Sequence, residues 1–269
     1  VLLHQSPMSM IQFAEVQNAL AELGVRAITI DTPGYGSSDK PQQQPTIQEY
    51  GNNPNYISAA ELFASKLVIS TDINKIVESA DCIILAVPSA FIRTTLKQLE
   101  KPISDKFIVS AIKGIVAEKN RIIGEYLHNK YQIPFDNIGV LTGPCHAEEV
   151  ALERLSYLTV ACEDLEKAQW FADLISCRYI KTNVSEDIFG TEISAVLKNV
   201  IAIASGICHS LGYGDNFQSV LASNAIREIK RFVDGVHPIE RDINESAYLG
   251  DLLVTMYSQF SRNRTFGNM

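Results

Sequence analysis

From about residue 70 the chain alternates short, continuously apolar runs with amphipathic stretches, and few architectures accept that alternation. CIILAV at 82–87 is apolar at every position and rich in β-branched residues, which suits a strand covered on both faces of a parallel sheet. Before it, Ile73, Ile76, Val77 and Ala80 recur at helical spacing behind Ser70-Thr71-Asp72, which can supply an N-cap. Pro88 stops the strand, and Ser89 is placed to cap a helix running to about Leu99. The same reading gives strands at FIVSA (107–111), IGVL (138–141), YLTVA (157–161) and RYIKT (178–182), with helices near 121–130 and 165–175.

After about Ser185 the strand-like runs cease and apolar positions recur every three or four residues, so the remainder is expected to be helical. The 269 residues suffice for about two domains at roughly 150 residues each. The expected division is a Rossmann-like, mostly parallel sheet domain over 1–184 and an all-helical domain over 185–269. Ala195 to Cys208 is almost wholly apolar or small, so its helix is expected to be central and covered on most sides.

A net charge of −8 removes long-range attraction to nucleic acid or anionic membranes, so an anionic ligand has to be caught locally. No uninterrupted apolar run approaches the length of a membrane span, and no secretory signal is evident at the N-terminus. Five scattered cysteines, at 82, 145, 162, 177 and 208, indicate neither a disulfide framework nor a zinc site, and fit a reducing cytoplasm.

Lys198, set with Asn199 in AVLKNVIAIASG, is the residue with the most chemical content. An ammonium in an apolar helix loses hydration, its pKa falls, and the neutral amine becomes a competent proton acceptor. The alternative is a lysine that snorkels to the surface or pairs with a carboxylate. SAIKG at 110–114 sets Lys113 just past the carboxyl end of a strand, where ligands of open α/β sheets bind, or where a loop charge is merely solvated. GPCHAEEV at 143–150 leads from a strand into a helix, which suits either an anion at free backbone N–H groups or a plain turn. In LGDLLVT, Asp251 sits beside an apolar run and needs a cationic or hydroxyl partner. SRNRTFG offers Arg262 and Arg264 with Ser261 and Asn263, a cluster suited to a phosphate.

ILAVPSAF, SAIKG, GPCHAEEV, AVLKNVIAIASG, LGYGDN, LGDLLVT and SRNRTFG, in this order from about Asn53 to Met269, resemble the bacterial type of NAD(P)-dependent glycerol-3-phosphate dehydrogenase. The resemblance implies reversible hydride transfer between NAD or NADP and the C2 carbon of glycerol 3-phosphate or dihydroxyacetone phosphate, in glycerophospholipid synthesis, without a metal. It makes Lys198 the acceptor of the C2 hydroxyl proton. Lys113 and Asp251 hold the reacting hydroxyl and the lysine, and Ser261, Arg262 and Asn263 bind the substrate and its phosphate. Gly143 and Cys145 line the substrate pocket, while Pro88, Lys113, Ala147 and Arg262 lie against the cofactor. The implied partner is a phosphorylated small molecule; a homodimer is left open.

Two departures from the family are expected to matter. The glycine turn that holds a dinucleotide pyrophosphate is missing, because GYG at 34–36 and at 212–214 are followed by the wrong residues. Residues 1–41 read instead like the opening of an α/β-hydrolase, with Val1–Leu3 and 25–30 able to fill the two vacant sheet positions and His4-Gln5-Ser6-Pro7 standing at the turn. Asp31 reads either as a ribose-binding acid or as part of that hydrolase-like text. A working hydrolase is excluded, since no GxSxG occurs in the chain. The family also continues with further helices beyond the point matched by Met269. A second function therefore stands beside the first: an inactive fragment or fusion with residual phosphate binding through Arg262 and Lys113.

Overall fold

The computed structural model describes residues 2–3, 29–30 and 70–269. The apolar runs become a seven-stranded sheet in the order β2-β1-β3-β4-β7-β8-β9. Its strands are β1 (Leu2–Leu3), β2 (Thr29–Ile30), β3 (Cys82–Leu85), β4 (Phe107–Ser110), β7 (Ile138–Thr142), β8 (Ser156–Ala161) and β9 (Ile180–Ser185). β5 (Ile115–Val116) and β6 (Arg121–Ile122) form a small antiparallel pair of their own. β1 pairs in parallel with both β2 and β3, so residues 2–3 and 29–30 do occupy the two vacant sheet positions. The order of connection reverses at β1, which opens a crevice at the carboxyl ends of β1 and β3.

The sheet is parallel except where β7 meets β8 antiparallel, with Leu141 opposite Val160. Helices α1 (Ile73–Glu78), α2 (Ile92–Leu96), α3 (Ile123–Tyr131), α4 (Ala147–Ala151) and α5 (Leu165–Ile175) connect the strands. Two cores result. Ile76, Leu85, Ile108, Ile123 and Leu127 fill one, and Val109, Val160, Phe171 and Ile175 fill the other. Asp72 caps α1 by accepting from Asn74 N–H at 3.0 Å, as its position suggests. Ser89 does not cap α2. Phe91 N–H bonds the Pro88 carbonyl in a tight turn, so the helix starts three residues past Ser89, and it ends at Leu96 rather than Leu99.

Beyond β9 the described chain is helical: α6 (Ile188–Ser210), α7 (Asp215–Val236), a wide π turn over Ser246–Gly250, α8 (Asp251–Tyr257) and α9 (Arg262–Asn268). Gly212 and Gly214 form the turn between α6 and α7, in keeping with their reading as turn glycines. α6 packs against α8 and α9, and Gly206 and Gly267 let α6 and α9 approach so closely that a Cβ at either would meet the other helix's backbone at 2.1 Å. α6 is covered on most sides, as expected: α8 and α9, α7, β7 and the π turn all pack on it, and between Ala195 and Cys208 only Val200, at 61%, and Ile207, at 46%, are exposed. By length and hydropathy alone α6 could also cross a membrane, although here it carries a buried ion pair at its middle. His4 to Pro7, Asp31, GYG at 34–36 and PQQQP at 41–45 lie outside the described residues.

Candidate active site

Where the carboxyl ends of β4 and β7 meet α6 and α8, four polar side chains converge on Asp251. Asp251 opens α8, a position in which the helix dipole favours negative charge, and it is 2% exposed. Lys198, from the middle of α6 and with its side chain 6% exposed, donates to Asp251 Oδ1. On the other oxygen, Lys113 Nζ lies 3.7 Å away and Thr142 Oγ1 donates at 3.2 Å. Thr255, one turn along α8, donates to the Asp251 carbonyl at 2.6 Å and so leaves the carboxylate to the cations.

Burial dominates the electrostatics of the lysine. Loss of hydration, assisted by the positive charge of Lys113, outweighs the pull of Asp251 and brings the Lys198 amine down to about 7. Burial pushes the Asp251 carboxyl up, but Lys113, Lys198 and Thr142 outweigh it and hold the group below the usual carboxylate range. An amine that is about half neutral near pH 7 and a carboxylate that stays ionised can pass a proton in either direction.

The pair borders a cavity of about 390 Å³, which Lys113, Cys145, Ala147, Asn199, Arg262 and Asn263 also line. Asn199 bonds the Ala195 carbonyl at 3.2 Å and the Lys113 carbonyl at 3.4 Å, and accepts from Asn263 Nδ2 at 2.9 Å. One amide thus ties α6 to the sheet and to α9. Burial pushes the Cys145 thiol up to about 11, against the pull of Lys113, so it is a poor nucleophile here.

One expected residue stands differently from its reading. Gly143 does not line this cavity; its φ of +130° and the Tyr157 carbonyl, 2.5 Å from where a Cβ would sit, make it a backbone requirement of the turn after β7. Ser261 reaches the cavity wall, where its hydroxyl accepts from Arg264 N–H at 3.3 Å as the N-cap of α9 and keeps its own O–H to donate. Pro88 lies outside the cavity at the carboxyl end of β3, beside the crevice.

The sequence reading missed Thr142, Thr255 and His146. A threonine ending a strand looks like ordinary β propensity, and one inside a helix like a neutral surface choice. His146 lines the cavity, and burial, reinforced by Lys113 and Lys198, pulls its pKa down. Its Nε2 is buried without a hydrogen-bond partner among the described residues. A polar atom left in that state suits a bound polar group, and with Lys113, Ala147 and the crevice at β1 and β3 it fits the nicotinamide end of a dinucleotide.

Proton exchange beside the crevice in which doubly wound sheets hold dinucleotides is the working arrangement of nicotinamide-dependent dehydrogenases as a class. Comparison with known proteins narrows the class. The family profile of the NAD-dependent glycerol-3-phosphate dehydrogenase N-terminus matches residues 27–168, and that of its C-terminus matches 187–269. Glycerol-3-phosphate dehydrogenase (NAD(P)+) of Latilactobacillus sakei is 34% identical over 235 residues, 85% of this chain and 68% of the relative. The Oceanobacillus iheyensis protein of the same name is 32% identical over 233 residues, 86% of this chain and 67% of the relative. The chain thus spans about two thirds of the length of these relatives. In fold it is similar to the crystal structure of glycerol-3-phosphate dehydrogenase from Coxiella burnetii, with a TM-score of 0.79 at 23% identity over 99% of this chain and 78% of that one.

The chain belongs to the NAD-dependent glycerol-3-phosphate dehydrogenase family. A hydrolase-like opening finds no support: the N-terminal profile begins at residue 27, inside the 1–41 segment read that way.

Proposed function

We propose that this protein interconverts glycerol 3-phosphate and dihydroxyacetone phosphate using NAD or NADP. The observation that carries the reading is the buried Lys198–Asp251 pair beside a cavity lined by Arg262, Asn263 and Lys113. When bound, the nicotinamide accepts or returns the hydride at the substrate's C2. Loss of that hydride leaves positive charge on C2 unless the hydroxyl proton departs with it. Neutral Lys198 Nζ takes this proton, an effect typically worth about 10²–10⁴-fold. Asp251 holds the ammonium so formed, and Lys113 orients the hydroxyl and faces the cofactor. Arg262 and Asn263 hold the phosphate; a guanidinium grips an oxyanion without help from the net charge. Ala147 and Pro88 leave room for the cofactor, and Cys145 closes the substrate side.

In this reading residues 1–184 form the dinucleotide half and 185–269 the substrate half, in a reducing cytoplasm that suits the five cysteines. The residues that choose between NAD and NADP fall in the segment before Ser70. The test is NADH oxidation with dihydroxyacetone phosphate. Turnover that disappears in Lys198→Met is expected; no rate above background at roughly millimolar substrate would overturn the reading.

A further inference from the structure

α3 begins without a cap of its own: Ile122 stands at the N-cap position and makes no side-chain bond, so the first N–H groups of the helix need acceptors from elsewhere. Both come from α6. Glu192 Oε1 accepts from Ile123 N–H at 2.8 Å, and Oε2 accepts from Gly124 N–H at 3.1 Å, across 69 and 68 residues of sequence. Glu192 is fully buried, and Gly124 is what admits it, because a Cβ there would sit 3.1 Å from Oε2. Among the described residues this buried carboxylate has no cationic partner, which is costly, and burial pushes its pKa up to about 7 against the pull of the two amides. An apolar side chain would avoid that cost only by leaving the Ile123 and Gly124 amides without these acceptors, so the carboxylate is kept for the link it makes between α6 and α3.

Glu192 lies six residues before Lys198, or about 9 Å along the helix axis. Of the polar links between α6 and the sheet half described above, it alone lies away from the cavity. The sheet half carries Lys113, Thr142 and the crevice, whereas α6, α8 and α9 carry Lys198, Asp251, Arg262 and Asn263. From this division we infer that Glu192 is a positioning residue: by gripping the first turn of α3 it fixes α6 against the sheet and so sets the distance between the substrate's C2 and the cofactor crevice.

This inference rests on the dehydrogenase reading for its kinetic consequence, and on the described contacts alone for its structural one. Three variants test it. Glu192→Gln keeps one acceptor but turns an amide NH₂ toward a backbone donor, Glu192→Ala removes both acceptors, and Gly124→Ala crowds the carboxylate from the other side. Because the proposed phosphate contacts, Arg262 and Asn263, sit on the helical half while Lys113 and Cys145 sit on the sheet half, KM for dihydroxyacetone phosphate should change less than kcat. kcat should fall in the order wild type, Gln, Ala, reaching roughly 10- to 100-fold, the usual cost of misplacing reacting groups by about an ångström. The deuterium isotope effect with C2-deuterated glycerol 3-phosphate should rise as hydride transfer becomes limiting.

Gly124→Ala separates position from mere stability. Alanine is the better helix former, so α3's own propensity does not fall, yet kcat should drop several-fold. A Gly124→Ala protein of unchanged kcat, or variants that lose thermal stability with kcat and isotope effect intact, would overturn the inference. If the wild type itself shows no turnover, the dehydrogenase reading fails separately. Hydrogen exchange then decides: amides around Lys198 that lose protection in Glu192→Gln support the positioning role, and unchanged exchange there overturns it.

Discussion

Asp251→Asn keeps the shape of the site while removing one charge from the contact between two lysines. Asp251 Oδ2 lies 3.7 Å from Lys113, and Oδ1 holds Lys198 more closely still. At an effective dielectric near 20, a unit pair at 3.7 Å is worth about 4 kcal/mol, and the Lys198 contact no less. Each 1.36 kcal/mol is about one pKa unit, so even after allowing for relaxation and partial screening at Lys113 the Lys198 amine should fall at least about one unit below its starting value near 7. The sign follows from the two directions of the reaction. Oxidation of glycerol 3-phosphate needs the neutral amine, so its rate rises with pH through the lysine pKa; reduction of dihydroxyacetone phosphate needs the ammonium, so its rate falls through the same value. In Asp251→Asn the rising limb of oxidation should therefore move to about pH 6 or lower, and reduction near neutral pH should lose roughly fivefold or more. The assay is kcat/KM against pH in both directions, read from NADH absorbance. A limb that stays near 7 in the variant, with both directions equally slowed, would refute the electrostatic reasoning and leave Asp251 a structural role only.

Arg262→Leu removes a charge-assisted grip worth about 1.5–3 kcal/mol, so KM for the phosphorylated substrate should rise roughly 10- to 100-fold. Gly143→Ala should destabilise the fold by about 1–3 kcal/mol or more in thermal or urea denaturation, since φ is +130° there and a Cβ would strike the Tyr157 carbonyl. At mildly alkaline pH, Cys145 should react with iodoacetamide far more slowly than a free thiol, and Cys145→Ser should keep most of the activity.

Local pattern carried the sheet and the helical half, because a doubly covered strand and an amphipathic helix each write their burial into neighbouring residues. It also carried Lys198 and Asp251, since each is a charge set in an apolar run. Their pairing spans 53 residues and could not be read from spacing; the resemblance to a known family supplied it. Glu192 was invisible for the same reason. A glutamate in the first two turns of a helix reads as a favourable dipole partner, and nothing nearby announces that its acceptors serve another helix 68 residues away. Gly143 misled in the opposite way, because a glycine after a strand can answer either a ligand's approach or a left-handed backbone, and only the φ angle separates the two. Ser89 failed as a cap because the turn after Pro88 is closed by a backbone bond rather than by the hydroxyl.

The most direct measurement is a titration of the Lys198 side chain itself, by NMR of the lysine Cε with Lys198→Met to assign the signal. A midpoint near 7 is expected for an amine stripped of water beside Lys113. A midpoint near the ordinary lysine value of 10.5 would mean that the group stays charged under working conditions, and the proton-transfer role assigned to it would be wrong.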